Sequence, residues 1–402
     1  MEPGELSVAT PAARRLVLQL GAAIVARLVL NTSRRMVYTF APAFSRGLGV
    51  PLTAITSLIA LNQATSLLGP VFGPLGDRWG YRMMMLIGLG LLSLGMLTGG
   101  LFPLYGVLAL AVMLGGLAKI LFDPAIQAYA GEQVPFRNRG LAIGLIEMSW
   151  AGSTLVGMPL VGLLIDQAGW RSPFLVLGGF ALLGLALVGI LIPGDRRHTV
   201  ATQSRATYRR VWRQIKRRPA IWGMFGFTFL TCLANDCIFV VYATWLESSF
   251  GLTVLALGTA TIVIGVAELL AEVLVATLSD RVGLRQAAIG SMALVVLSNL
   301  LLPFIAHTLP LALGGLFLVF LTFEFSIVTT MSVFTEVMPR ARGTMMSSNL
   351  SAAGAGRVVG SLVGGAVWVM GGLLVNGLVA TAASALALGC LVWGLSRWRG
   401  KT

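Results

Sequence analysis

Along this chain apolar residues gather into long runs separated by short polar or charged breaks. Runs are read at 16–44, 52–75, 83–102, 105–130, 141–166 and 173–193, and after a longer break at 220–246, 254–277, 287–307, 310–335, 344–370 and 374–395. A hydrocarbon core about 30 Å thick needs about 20 mostly apolar residues per helical crossing. Each run therefore predicts one membrane-spanning helix, and the chain predicts twelve. The first run is too long for the roughly 7 to 15 residue core of a secretory signal and counts as a span.

Composition agrees with this pattern. Of 402 residues, 56% are hydrophobic and 11% charged, whereas soluble domains carry about a quarter charged residues. The 49 glycines and 16 prolines fit transmembrane helices, which tolerate both. The fold class is an all-α polytopic membrane protein. Cys232, Cys237 and Cys390 fall inside apolar runs and read as small packing residues, not as a disulfide framework. His198 and His307 stand far apart at run edges, so no metal site and no cofactor is expected.

Twelve spans place both termini on one side, and the basic residues then sort themselves. That side receives 22 of the 29 Lys and Arg, the other side holds only Arg46 and Arg171, and five lie within spans. The asymmetry predicts cytoplasmic termini in a cell membrane. It also explains the net charge of +14 without nucleic acid, since topology and anionic inner-leaflet lipids suffice. Nine of the basic residues crowd into residues 194–219, which divide the chain into an N-terminal bundle (1–193) and a C-terminal bundle (220–402). The second part of this linker reads equally as a basic amphipathic helix on the inner leaflet, anchored by Tyr208 and Trp212, or as a solvated connection.

The two halves repeat each other. Asp77-Arg78-Trp79-Gly80-Tyr81-Arg82 follows the second run and Asp280-Arg281-Val282-Gly283-Leu284-Arg285 the eighth, 203 residues later. Glu132, Pro135, Arg139 and Gly140 match Glu336, Pro339, Arg342 and Gly343, and Asn31 with Val37-Tyr38 matches Asn235 with Val241-Tyr242, at nearly the same offset. Three matches in register imply a duplicated six-helix unit.

The stretch from Gly73 through Asp77, Arg78 and Gly80 to Arg82 resembles the signature of the major facilitator superfamily between its second and third helices, and the twelve runs, the half-chain repeat and the basic central linker resemble that family over the whole chain. The second copy has Ala276 in place of Gly73. The resemblance implies two pseudo-symmetric six-helix bundles around a central cavity, with the first, fourth, seventh and tenth helices lining it and the third, sixth, ninth and twelfth facing lipid. It also implies a gate role for Gly73, Asp77, Arg78, Gly80 and Arg82, and for Asp280, Arg281, Gly283 and Arg285. The chemistry suits such a role. Glycine serves the tight turn, the aspartate suits the positive end of a helix from the other half, and the arginines suit carboxylates or lipid phosphates. A simple topology signal is the alternative.

Eleven charged residues fall at membrane depth: Arg27, Arg34, Arg35, Lys119, Arg357, Asp123, Glu147, Asp236, Glu268, Glu272 and Glu324. Facing lipid, each would cost roughly 2.5 to 3.5 kcal/mol, and the sum would exceed a protein's whole stability. They must face water, one another or a substrate. None lies on the third, sixth, ninth or twelfth run. On the first run Arg27, Asn31, Arg34, Arg35 and Tyr38 share an arc of roughly 100°, which predicts an anion-attracting wall. With Lys119, Asp123, Asn235, Asp236, Glu324 and Arg357 they form the candidate substrate cavity. Lys119 and Asp123, four residues apart, can pair. Glu268 and Glu272 repel each other at the same spacing, which makes them candidate proton carriers together with Asp236, Glu324 and Glu147. Mutual neutralisation as internal ion pairs is the competing role for any one of them.

Glycines at 152, 157 and 162 with Pro159 loosely resemble the antiporter pattern of the family, and Gly356, Gly360 and Gly364 permit close helix approach. No phosphate-cradling glycine loop and no nucleophile–base pair appears, so neither ATP drive nor catalysis is expected. The sequence predicts a secondary transporter, acting as a monomer, that moves a small organic solute by alternating access, with proton-coupled efflux as its direction. The arginines on the first run argue against cationic drugs and favour an anionic or amphiphilic substrate, a lipid included. A sensor or scaffold that signals through the basic linker is the alternative function.

Overall fold

In a computed structural model of the chain, residues 11–69, 72, 79–135, 139–194, 218–337 and 342–397 are described, and every regular element among them is helical. Among the described residues ten helices are long and apolar enough to cross a membrane. The last, Ser348–Ser396, has 49 residues and at about 1.5 Å per residue is twice the length a bilayer needs. It breaks at Gly371 and Gly372, the latter at φ 58°, and is two spans. Leu52–Leu68, which meets Ala41–Leu48 at 117°, supplies the second span and completes the expected twelve.

The first span is Pro11–Thr39 continued by Ala41–Leu48, the third Tyr81–Leu101, the fourth Tyr105–Gln133 and the sixth Ser172–Leu191. The fifth runs from Arg139 to Ala168 through a π-helical turn at Ser153–Gly157. The seventh is Pro219–Phe239 with Tyr242–Phe250, the eighth Val254–Ala260 with Ile262–Val282, the ninth Leu284–Ile305 and the tenth Leu309–Val337.

The duplication is visible in the backbone. Gly80 and Gly283 precede the third and ninth spans at φ 89° and 90°, a conformation that admits glycine and few other residues. Gly49 and Gly251 close the extensions of the first and seventh spans at φ 66° and 64° with ψ 32° and 28°. Exposed large apolar side chains on the sixth, ninth and twelfth spans, among them Phe180, Phe304 and Leu386, provide the lipid-facing surface.

Small residues set the distances that matter for the cavity. In the second half the eleventh span lies against the seventh, so that a Cβ on Gly360 would stand 2.5 Å from the Leu233 carbonyl and 2.9 Å from Asp236 Cβ. Across the halves, Gly162 of the fifth span and Gly258 of the eighth approach each other, and Gly365 of the eleventh meets Thr56 of the second. Gly360→Ala is therefore expected to destabilise the protein by about 1–3 kcal/mol, the usual cost of overpacking. Gly290→Ala, which meets nothing within 4 Å, should be neutral or stabilising. Melting of the two variants in detergent checks the contrast.

Residues 195–217, including His198, Tyr208 and Trp212, lie outside the described residues, as do Gly73, Asp77, Arg78 and Pro339. Asp280, Arg281 and Glu336 lie on described helix ends, but their side chains are outside the described set, as are those of Arg139 and Arg342.

Candidate functional site

The charged residues of the spans converge between the two halves. Arg27, buried on the first span, donates from Nε to Asp123 Oδ1 at 3.0 Å and from Nη2 to Glu147 Oε2 at 3.2 Å, and its Nη1 meets the Ile146 carbonyl at 2.6 Å. Lys119 donates to Asp123 Oδ2 at 2.6 Å, the expected pair one turn apart, and to Asn31 Oδ1 at 2.8 Å. This network joins the first, fourth and fifth spans and leaves Asn31 holding a lysine.

Eight residues further along the first span, Arg35 reaches the other half. Its Nη2 donates to both Glu268 oxygens at 2.7 and 2.9 Å, its Nη1 bonds Thr154, and its guanidinium lies 3.9 Å from the centre of the Trp150 ring. Lys119 Nζ lies 5.1 Å from the same ring. Such a site, with both partners under a tenth exposed, is demanding: ions removed from water need close pairing and further hydrogen bonds; Thr154 accepts one, and the Trp150 face adds a cation–π contact. The π-helical turn that carries Thr154 inserts an extra residue per turn in the fifth span, a feature common at functional positions.

A third cluster lies on the seventh span. Asp236 is fully buried, accepts from Tyr38 Oη and Ser361 Oγ at 3.2 Å each, and stands 3.8 Å from Arg357 Nη1. Its Oδ1 and the Asn235 Oδ1 have no hydrogen-bond partner among the described residues. Tyr38 stacks on Phe239 at 4.5 Å and Phe239 on Tyr242 at 5.4 Å. Tyr242, 204 positions after Tyr38, donates to Thr39 Oγ1 at 2.8 Å. The two tyrosines thus reach across in opposite directions between the first and seventh spans.

Arg34 turns toward the second span, donating to Asn62 Oδ1 at 3.1 Å and to the side-chain Oε1 of Gln63. The arc of five polar residues on the first span is therefore divided. Arg27 and Arg35 are neutralised by acids, and Arg34 is the base among the five whose hydrogen bonds go to neutral groups. Glu272 and Glu324 are partly exposed, and among the described residues neither has a hydrogen bond or an ion pair. Glu268, read beside Glu272 as a proton carrier, is held by Arg35.

Links from the first span to the second half begin at Arg35 and continue through Tyr38 and Thr39 to the exposed Arg46–Glu247 pair at 2.9 Å. No described residue of that span before Arg35 makes one. The side chains of Arg35 and Glu268 are 3% and 7% exposed and that of Arg27 4%, whereas its partners Asp123 and Glu147 are 19% and 38% exposed. The ties from the first span to the second half thus gather toward Arg46, which defines the sealed side, and the opposite side, which carries the basic connections and has no such tie among the described residues, is called the open side. On that open side Arg82 donates to the Gly189 carbonyl at 2.6 Å, joining the third and sixth spans, and Arg285 is exposed.

Sequence reading missed Asn62, Gln63, Trp150, Thr154 and Ser361. Neutral side chains in a span carry no cost that demands an explanation, and only the partner across the crevice reveals their use.

Twelve spans in two duplicated bundles about a charged crevice define a polytopic transporter fold. A family model described as Major Facilitator Superfamily matches residues 23–246 and 224–401, and the chain belongs to that superfamily. Similar curated proteins include an MFS-type transporter of Bacillus subtilis, YceJ, at 28% identity over 77% of this chain and 78% of the relative. The multidrug resistance protein MdtG of Citrobacter koseri is 27% identical over 83% of this chain and 84% of its own. Among solved structures, the nucleoside transporter NupG aligns at TM-score 0.77 and 15% identity, covering 95% of this chain and 100% of that one. A bacterial homologue of the lysosomal transporter Spinster, in an inward-facing and unoccupied conformation, aligns at TM-score 0.76 and 14% identity over 98% and 100%.

Proposed function

We propose that this membrane transporter moves a small anionic or amphiphilic organic solute by alternating access, exporting it in exchange for protons across a bacterial cytoplasmic membrane. The observation that carries the reading is the distribution of unmatched charge in the crevice. Among the described residues the hydrogen bonds of Arg34 on the first half go to amides, while Glu272 and Glu324 on the second half have neither a hydrogen bond nor an ion pair. A solute anion has Arg34 to meet, and two acids can take up or release protons without breaking an ion pair. Export is supported by the similarity to MdtG and to a multidrug resistance efflux pump homologue of Lactococcus lactis. The basic excess on the open side supports cytoplasmic termini. The open crevice then faces the cytoplasm.

Proteoliposomes loaded with carboxyfluorescein or with ethidium, under an imposed pH gradient, test this. The expected result is gradient-dependent movement of the anionic dye, reduced at least ten-fold in Arg34→Gln, with ethidium unmoved. Movement of ethidium alone would reverse the substrate class. Absence of any flux under either gradient direction would favour the sensor function.

A further inference from the structure

Arg34 is connected to the opposite half by an unbroken line of hydrogen bonds. Its Nη2 donates to the side-chain Oε1 of Gln63, Gln63 Nε2 donates to the Tyr38 oxygen, and Tyr38 donates to Asp236 Oδ2 at 3.2 Å. Gln63 and Asp236 are 1% and 0% exposed, so water does not substitute for any of these partners. The donors all point from the cation to the carboxylate, and bonds arranged this way polarise and strengthen one another.

The orientation of the Gln63 amide decides where the Tyr38 hydroxyl goes. With its carbonyl engaged by the guanidinium, the amide presents N–H to Tyr38, and the phenol proton is left for Asp236. Were the amide reversed, its N–H groups would face the guanidinium, which has no acceptor, so Arg34 enforces the first orientation. Once the guanidinium is taken by a solute anion, the constraint is lifted. The amide can then turn and accept the Tyr38 proton, and Asp236 loses one of its two hydrogen bonds.

We infer that Gln63 is a positioning residue that couples occupancy of Arg34 to the Tyr38–Asp236 bond between the halves, so that an anion entering from the open side weakens the closure of the sealed side. The coupling rests on the proposed role of Arg34 as the anion-binding cation. It assigns a task to a buried residue that carries no charge.

The test reads the closure itself. Spin labels at Gln167→Cys and Ser248→Cys, both exposed on the sealed side in opposite halves, report the population with that side open in lipid nanodiscs. Arg34→Gln and Tyr38→Phe should each raise the open-to-closed ratio about five-fold, the effect of a typical single hydrogen bond, and together no further. In a Gln63→Leu background, or Gln63→Met should leucine not fold, Arg34→Gln should change nothing. An Arg34→Gln effect that persists undiminished in that background, or that is fully additive with Tyr38→Phe, overturns the coupling. Carboxyfluorescein should reproduce the Arg34→Gln shift in the native sequence and not in Gln63→Leu. A dye without effect while the variants behave as stated overturns Arg34 as the anion site and leaves the link from Gln63 to Asp236 intact.

Discussion

Replacing Glu268 by glutamine is expected to destabilise the protein by about 3–5 kcal/mol, the usual penalty for leaving one member of a buried pair uncompensated. Arg35 would keep its charge under a side chain 3% exposed, with Thr154, the Trp150 face and a neutral amide as its surroundings. The relief available is water, and water reaches Arg35 if the sealed side opens. Glu268→Gln should therefore show both a lower melting temperature and a larger open population on that side. Replacing both partners by leucine removes the orphaned charge, and the double variant should recover most of the lost stability while remaining open. Equal melting of the single and double variants would mean that the pair contributes packing and not charge compensation.

Glu324→Gln is expected to behave in the opposite way. Glu324 has no partner among the described residues, so its replacement by an isosteric amide leaves no charge stranded, and melting should shift little. Gradient-driven flux, by contrast, should fall at least ten-fold, because an amide cannot carry the proton that couples the cycle. Dye exchange without a gradient should persist. A Glu324→Gln variant that retains gradient-driven flux moves the coupling role to Glu272, whose neutral variant then becomes the one expected to uncouple.

Much of the fold was legible because the bilayer imposes simple demands on a chain. Run lengths located the spans, and the match of Gly80 with Gly283 located a turn that the backbone repeats at φ 89° and 90°. The cost of burying charge singled out eleven residues, none of them on the second span, and among these Arg27, Arg35 and Asp236 take hydrogen-bond partners from other spans. Their partners were not legible. Arg35 and Glu268 are 233 residues apart, and nothing in spacing distinguishes that pairing from Arg34 with Glu268. The polar arc of the first span predicted one cationic wall, yet neighbouring helices approach it from different directions and divide it among spans two, four, five, seven and eight. Only Lys119 and Asp123, bound by the pitch of a single helix, form a pair that local geometry dictates.

The proposed cycle requires that opening of one side accompany closing of the other. Paired distances measured by electron spin resonance in nanodiscs, between residues 167 and 248 on the sealed side and between residues 133 and 286 on the open side, test this directly. The account predicts two populations that exchange in opposite senses: Glu268→Gln lengthens the first distance and shortens the second. A first distance that lengthens while the second stays fixed would show the two halves coming apart instead of rocking about a shared crevice, and would contradict alternating access in this protein.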